Sequence, residues 1–242
     1  MHSGPVTTAN RAANSAAPTL AVDHLVVAAA ALAHGVQWCE TTLGVTPGPG
    51  GEHALMGTHN RLLSLATPTF PLAYLEIIAI NPDAPGPTDG RKRWFGLDDP
   101  ALHARLAADG PQLIHWVARS TALDMHRFSF IAMGLQPGVP VAASRPTHNG
   151  LLQWQMLLRP DGALLHRGAL PTLIQWQGPH PALTMPASGL TLHGLQLAGA
   201  LPAGVQSLLR LPALRCTDDA GQPALTATLQ TPLGLRALSS PP

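Results

Sequence analysis

Three histidines stand inside apolar segments that are typical of buried strands. They are His24 in LAVDHLVVA, His115 in LIHWVAR and His193 in LTLHGLQL. A buried polar side chain costs free energy unless a partner satisfies its hydrogen bonds. Histidines at equivalent positions in three strands therefore need one architectural explanation.

A carboxylate, Glu76, stands in a fourth apolar segment, AYLEIIAI. A charged group in such a strand is hard to justify without a metal, a cation or a hydrogen-bond donor beside it. The segment therefore predicts a partner for Glu76 somewhere else in the fold.

The elements that carry these residues follow one order twice. A strand, a helix and three strands are predicted within 20–80, and the same order returns within 112–176. Both predicted helices have apolar residues at helical spacing, and they end at Gly44 and Gly134. A shorter strand–helix–strand–strand pattern follows, and His193 belongs to it. We expect His193 to be structural, because this last unit has no matching acidic strand.

The tripeptide Thr-His-Asn strengthens the case for a duplication. It occurs at 58–60 and at 147–149, and an apolar pair of leucines follows each copy. The spacing from the strand histidine to this tripeptide is nearly the same in both halves. We predict a hairpin turn at each copy, because asparagine tolerates the positive φ of tight turns. A recurring pattern of this kind indicates an internal repeat.

These patterns divide the chain into five predicted segments. They are a flexible arm (1–18), a first module (19–82), a connector (83–111), a second module (112–186) and a C-terminal unit (187–242). The connector is polar and rich in turns, and connectors of this length are often functional.

The composition bounds the class of protein. Of the 242 residues, 45% are hydrophobic and 11% are charged, so the chain should fold rather than remain disordered. A net charge of +1 favours neither nucleic acid nor an anionic membrane as a partner. No apolar run is long enough to span a bilayer, and 1–18 has no apolar core of signal-peptide length. The two cysteines form no CxxC pair, and a reducing cytoplasm is the expected location.

The segments DHLVV, ALMGTHNRLLSL, YLEIIAI, RWFGLDD and LIHWVAR, in this order, resemble those of glyoxalase-like domain proteins. These proteins belong to the vicinal oxygen chelate superfamily, and the resemblance covers roughly 20–181. It implies an α+β fold in which paired βαβββ modules form a curved mixed-sheet cleft. The shorter βαββ unit is then an addition at the C-terminus.

The resemblance also implies a divalent metal, held by the first and fourth strands of each module. Mapped onto this chain, its ligands are His24, Glu76, His115 and Gln175. The last position is usually acidic, and an amide oxygen is a weaker, neutral ligand. Such a donor set suits Fe, Mn, Ni, Co or Zn and leaves positions open for substrate. The alternative is that no metal binds, and that His24 and His115 are core residues hydrogen-bonded to the backbone.

Five further residues are predicted to contact a substrate. They are His59, Asn60, Arg93, Trp94 and Trp116. The resemblance places the first two at the mouth of the cleft, although a plain hairpin turn would also explain them. The connector bridges both modules, so Arg93 and Trp94 could close over a ligand, or Trp94 could be an aromatic anchor. Trp116 is either a core residue or a wall of the cleft.

The resemblance implies a metal-dependent lyase, isomerase or dioxygenase that acts on a small oxygenated molecule. In that interpretation the metal stabilises an enolate, and Glu76 or a bound water moves the proton. The rival interpretation is a metal-free protein that binds or sequesters a small ligand in the same cleft. A scaffold role, suggested by the C-terminal unit, is a third. The expected partner is a small molecule, and a homodimer is one option for the assembly.

Overall fold

The computed structural model describes residues 17–147 and 150–241. Most of the predicted arm, and His148 and Asn149 of the second Thr-His-Asn copy, therefore lie outside the described residues. The described strands are β1 (Leu20–Ala28), β2 (Glu52–His53), β3 (Thr58–Ser64), β4 (Tyr74–Ile80), β5 (Gln112–Ser120), β6 (Val139–Thr147), β7 (Gly150–Leu158), β8 (Thr172–Gln177), β9 (Thr191–Ala198), β10 (Leu214–Thr217), β11 (Leu225–Thr231) and β12 (Gly234–Ser239). The described α-helices are α1 (Leu32–Trp38), α2 (Pro100–Asp109), α3 (Leu123–Ala132) and α4 (Ala203–Leu208).

Eight strands form the main sheet in the order β2-β3-β4-β1-β5-β8-β7-β6. At its centre β1 and β5 are antiparallel, and each is parallel to the last strand of its own half, β4 or β8. The two halves are therefore arranged alike around an approximate twofold axis. The sheet curves until β3 and β7 line one groove, to which they contribute Leu62 and Leu152. This confirms the predicted α+β fold with a curved mixed sheet.

The alternation of side chains along the central strands divides them between two cores. Leu25 and Val27 of β1 join an outer core, which also contains residues of the second sheet. Val26 and Ala28 join an inner core on the concave side. The inner core also contains Trp94, so the connector packs inside the curve of the sheet.

Four strands form a second, smaller sheet in the order β10-β9-β11-β12. Its strands β11 and β12 contact β5 of the main sheet. His193 of β9 is exposed, whereas His24 and His115 are 3% and 1% exposed. The sequence suggested that all three histidines are buried at equivalent strand positions. The burial therefore holds for His24 and His115 and not for His193. Within the described ranges, no helix is both long enough and apolar enough to cross a membrane.

The first Thr-His-Asn copy is not the turn that the sequence predicted. The chain turns at 54–57, and Thr58 already begins β3. Gly57, with φ 58°, takes the left-handed conformation that the reversal needs. The consequence is that Asn60 becomes a strand residue with a fixed direction, rather than part of a loop.

Close contact between α1 and β4 generates a testable prediction. A Cβ on Gly35 would lie 2.4 Å from Cγ2 of the fully buried Ile77. Gly35→Ala should therefore lower the free energy of unfolding by about 1–3 kcal/mol, because overpacking outweighs the better helix propensity of alanine. Urea unfolding followed by circular dichroism measures the change.

Gly204→Ala in α4 is the matched control. A Cβ there would lie 2.7 Å from Sδ of Met133, a flexible side chain that can move away. The stability of this variant should be unchanged or higher by up to about 1 kcal/mol. Equal losses in the two variants would contradict the special role of the Gly35 contact.

Candidate functional site

A β-bulge in β1 sends two consecutive side chains to the concave side of the main sheet. Val22 pairs with Ala118 and His24 pairs with Val117, so Asp23 is an extra residue without its own partner in β5. In a regular strand Asp23 and His24 would point to opposite faces. Bulges of this kind re-aim side chains, and they are common beside functional sites.

Asp23 is fully buried and accepts three hydrogen bonds. Its Oδ1 accepts one from Nδ1 of His24 at 2.7 Å, and its Oδ2 accepts from Nε2 of His180 at 2.9 Å and Nε1 of Trp176 at 3.0 Å. Burial raises the pKa of this carboxyl, but the bonds from His180 and His24 prevail and hold it well below its usual range. A permanent carboxylate therefore holds the Nδ1–H of His24 and turns Nε2 away from Asp23.

The ring nitrogen of His24 that does not contact Asp23, Nε2, faces Glu76. Nε2 of His24 lies 3.6 Å from Oε2 of the carboxylate. Nδ2 of Asn60 donates to Oε1 of Glu76 at 2.6 Å, and Oδ1 of Asn60 accepts from the backbone N–H of Gly51 at 2.8 Å. Asn60 thus fixes Glu76 in place, and the carboxylate has the partner that the sequence required of it.

His53 completes this polar cluster as a neutral group. Its Nδ1 donates to Oγ1 of Thr58 at 3.0 Å, and its Nε2 accepts from Nδ2 of Asn60 at 3.3 Å. Burial, and to a smaller extent the nearby positive charge of Arg145, lower its pKa to about 3. His53 therefore remains uncharged at neutral pH and serves as an acceptor.

The polar cluster borders a small inner cavity of about 30 Å³, enough for about two water molecules. Its walls are mostly aromatic and apolar, and they come from both halves of the sheet. The lining includes His24, His53, Asn60, Glu76, Tyr74, Trp94, Arg145, Trp154 and Trp176. His24 and Glu76 are thus buried titratable groups that line a small cavity, a setting in which side chains do acid–base chemistry.

Two of the four ligands expected for a metal are engaged elsewhere. Nδ1 of His115 donates to the carbonyl of Gly168 at 3.3 Å, and its Nε2 lies 2.9 Å from Oγ1 of Thr172. Oε1 of Gln175 accepts from the backbone N–H of Leu123 at the start of α3, at 2.8 Å. Both nitrogens of the imidazole and the amide oxygen are therefore already in use.

The register of β8 explains the mismatch at Gln175. In β1 the residue two places after the histidine, Val26, pairs with Glu76. In β5 the residue two places after the histidine is Val117, and it pairs with Thr172. The second-half equivalent of Glu76 is therefore Thr172, three residues before the position that the sequence suggested.

Aromatic rings from the connector connect the two histidine sites and fill the space where a shared metal would lie. The ring of Trp94 lies 4.9 Å from that of His53 and 5.3 Å from that of Phe95, and Phe95 lies 5.4 Å from His115. Among the described residues, no group of three or more His, Cys, Asp or Glu could hold a metal ion. As the described side chains are arranged, His115 and Gln175 therefore do not join His24 and Glu76 as metal donors.

The structure places some of the predicted substrate contacts at the inner cavity and others outside it. Asn60 and Trp94 line the inner cavity, and Nε1 of Trp94 is buried without a hydrogen-bond partner in the described part of the chain. His59 precedes Asn60 in β3 and points to the opposite side of the strand. Arg93 is held by Asp98, through a contact of 2.7 Å, and lies outside this cavity.

Trp116 belongs to the outer core rather than to the cleft. It is fully buried there, and its Nε1 donates to the carbonyl of Ala169 at 2.9 Å. Of the interpretations that the sequence allowed for Trp116, the structure supports the core residue.

Four residues of the site were not singled out from the sequence. Asp23 carried a usable signal, because it is a carboxylate in an apolar strand, as Glu76 is. His53, Arg145 and His180 carried none, since they come from a two-residue strand, an outer strand and a loop. Only the pairing of distant segments brings them together.

With this geometry, comparison with known families is informative. The family model of the glyoxalase-like domain matches residues 22–211. The chain belongs to this family. The match covers both halves of the main sheet, together with β9 and α4, so this glyoxalase-like chain carries the whole cleft within the family domain. A comparison with curated protein sequences finds no match.

Among solved structures, similar chains include a hypothetical protein from Staphylococcus aureus. It has a TM-score of 0.49 at 14% identity, with 74% of this chain and 69% of that chain covered. Methylmalonyl-CoA epimerase of Streptomyces coelicolor has a TM-score of 0.41 at 16% identity, with 67% and 99% covered. Its counterpart from Mycobacterium tuberculosis has a TM-score of 0.37 at 16% identity, with 67% and 90% covered. None of these similarities assigns an activity to this glyoxalase-like chain.

His115 is buried and both of its ring nitrogens are hydrogen-bonded, which predicts that the stability of the fold depends on pH. Burial lowers its pKa to about 3, so the unfolded chain binds a proton below about pH 6.5 and the folded chain does not. Stability should therefore fall as the pH drops from about 6.5 towards 3. His115→Gln should reduce the slope of the unfolding free energy by up to about 1.4 kcal/mol per pH unit, the value for one proton. Urea unfolding at several pH values measures it.

His193→Gln is the control for this measurement. The exposed His193 is in solvent in the folded chain, and its loss should leave the slope unchanged. An unchanged slope for His115→Gln would contradict the assignment of His115 as a buried neutral group.

Proposed function

We propose that the cleft catalyses proton transfer at a carbon next to a carbonyl group in a small oxygenated molecule, as an isomerase or lyase. The observation that carries this proposal is the buried series Asp23–His24–Glu76, with contacts of 2.7 Å and 3.6 Å, beside the inner cavity. It provides two proton-transfer groups that face each other, with a third group that sets the tautomer of one of them.

The chemistry assigns a separate role to each residue. Glu76, positioned by Asn60, takes the proton from the substrate carbon. His24, protonated on Nε2 and stabilised by Asp23, donates to the oxygen on which the enolate charge develops. An isomerase then returns the proton from Glu76 to the carbon, and a lyase expels a leaving group from the enolate. The unpartnered Nε1 of Trp94 supplies a further donor for a substrate oxygen.

A metal-dependent route, including that of a dioxygenase, would rest on the four-ligand set. His115 and Gln175 already use their donor atoms in other bonds and are not free to complete that set. The proposal therefore uses only the side chains that meet at the inner cavity.

Binding without turnover is the second candidate. The aromatic walls favour it, since the rings of Trp154 and Trp176 lie 5.6 Å apart and border the cavity. Such walls would hold a small apolar ligand whether or not a proton moves. The two candidates differ in one observable, the exchange of a carbon-bound hydrogen.

Hydrogen exchange tests the proposal directly. The full chain is incubated in D₂O with a panel of small 2-oxo and 2-hydroxy carbonyl compounds, and loss of the α-proton signal is followed by NMR. We expect exchange of at least one compound, and a rate at least about 100-fold lower for Glu76→Gln, because the amide cannot accept the proton. Glu52→Gln, at an exposed carboxylate of β2, is the matched control and should keep the wild-type rate.

The same assay separates the alternatives. A chelator should leave the exchange rate unchanged, and a rate that appears only on addition of Fe, Mn, Ni, Co or Zn would contradict the proposed route. Compounds that raise the melting temperature without any exchange would instead support the binding protein.

Asp23→Asn tests the positioning of His24. The amide cannot accept the Nδ1 proton as a carboxylate does, so the other tautomer becomes accessible and Nε2 loses its role. We expect the exchange rate at saturating substrate to fall about 100-fold or more, with a smaller change in KM and a shifted pH profile. Asp109→Asn, at the exposed end of α2, should change neither quantity. A loss confined to KM would contradict a positioning role.

A further inference from the structure

An arginine, Arg145, lies where the two halves of the sheet meet, and two of its nitrogens lack a hydrogen-bond partner among the described residues. Arg145 is on β6, in the second half, and it lines the inner cavity beside Glu76. It also lines a larger outer groove of about 360 Å³. The two spaces share Leu62, Leu152 and Pro181 as walls, so the guanidinium stands at the junction between them.

The guanidinium of Arg145 is half-buried and unsatisfied. Its Nε and Nη1 are shielded from solvent and have no hydrogen-bond partner in the part of the chain that the structure describes. No carboxylate among the described residues lies within ion-pair distance of it. A guanidinium carries five donors, and leaving buried donors unpaired costs about 1–3 kcal/mol each. An arrangement of this kind is expected where a ligand provides the acceptor.

The backbone leaves room for this side chain. A Cβ on Gly51 would lie 2.1 Å from Nη1 of Arg145, so only glycine is accommodated there without a shift. The same Gly51 donates its N–H to Asn60, which holds Glu76. One short loop therefore positions both the proposed base and the arginine.

We propose that Arg145 binds the carboxylate of a small monocarboxylic acid whose apolar chain lies in the outer groove. The planar fork of a guanidinium matches a carboxylate in geometry and charge. The groove offers apolar walls from Leu62, Leu151, Leu152 and Met185. Its volume is in the range of small-molecule sites.

A carboxylate fits better than a phosphate for reasons of charge. Arg145 is the single cationic side chain that lines either space, apart from histidines, among the described residues. One positive charge balances a monoanion. A phosphate dianion would remain under-compensated, and Glu76, which lines the same inner cavity, would repel it about twice as strongly as it repels a monoanion.

This inference adds a substrate class, small carboxylic acids, to the proposed proton-transfer site. It rests on the proposed function only in treating the bound acid as a substrate. The carboxylate at the junction would hold the adjoining carbon at the mouth of the inner cavity, which Glu76 lines, with the rest of the chain in the outer groove. Binding itself requires no proton transfer, so it can be measured separately.

Calorimetric titration of the full chain with straight-chain acids from acetate to decanoate, and with the matching alcohols, tests the inference. We expect an acid of intermediate length to bind at least tenfold more tightly than its alcohol. Arg145→Gln should abolish this preference, and Arg145→Lys should restore part of it, because lysine keeps the charge and loses the fork. Arg61→Gln, at an exposed arginine of β3, is the matched control and should bind as the wild type does.

The melting temperature of each chain without ligand distinguishes a ligand-binding arginine from a structural one. Loss of an unpaired, half-buried charge should leave the melting temperature of Arg145→Gln unchanged or raise it, and a clear decrease would overturn the inference. Equal affinity of acid and alcohol for the wild type, or tighter binding of the matching alkyl phosphate, would overturn it too. This comparison needs no variant.

The two proposals can fail separately. Glu76→Gln should bind the acid at least as tightly as the wild type does, because it removes a negative charge from the inner cavity. Acid binding without exchange would leave the inference standing while the proton-transfer function fails. Exchange of a carboxylic acid with a rate and a KM that Arg145→Gln leaves unchanged would overturn the inference and keep the function.

Discussion

One extra residue in β1 is the constraint on which the site depends. Because Asp23 forms a bulge, Asp23 and His24 both lie on the concave side of the sheet, and the carboxylate can reach Nδ1 of its own neighbour. Without the bulge the two side chains would lie on opposite faces, and His24 would have no fixed tautomer. The position of Nε2 against Glu76 follows from this local irregularity, which the surrounding pairs of β4 and β5 hold in place.

The second half of the sheet repeats the bulge but not the chemistry. Val26 and Val27 of β1 pair with His115 and Leu113, so the extra residue in β5 is Ile114. An apolar residue thus stands where the first half has Asp23, and Thr172 stands where it has Glu76. His115 accordingly turns to local backbone and hydroxyl partners. The duplicated framework has kept its geometry while one half supplies the acid–base groups and the other supplies walls and a cation.

The packing of the connector explains why the histidine sites of the two halves of the sheet do not form one shared site. Phe95 is buried with φ 57°, a conformation that costs a bulky residue about 1–3 kcal/mol and persists only under strong packing. Stacked on Trp94, it fills the space between the two histidine sites. The aromatic filling keeps the inner cavity small, and the burial of His24 and Glu76 strengthens the electrostatic interaction between them.

The sequence by itself determined the strand and helix order of the two modules, the duplication, the fold class, and the burial of His24 and Glu76. These follow from local periodicity and from the free energy of burying polar groups, both of which are written in short segments. In the C-terminal unit the prediction was wrong by one strand, because β12 (Gly234–Ser239) follows the predicted βαββ elements. The sequence did not determine the site. The bulge at Asp23, the register that replaced Gln175 by Thr172, and the filling by Phe95 depend on which residues pair across the sheet. Only the tertiary structure decided that His53, His180 and Arg145 join His24, because those contacts connect segments with no local pattern in common.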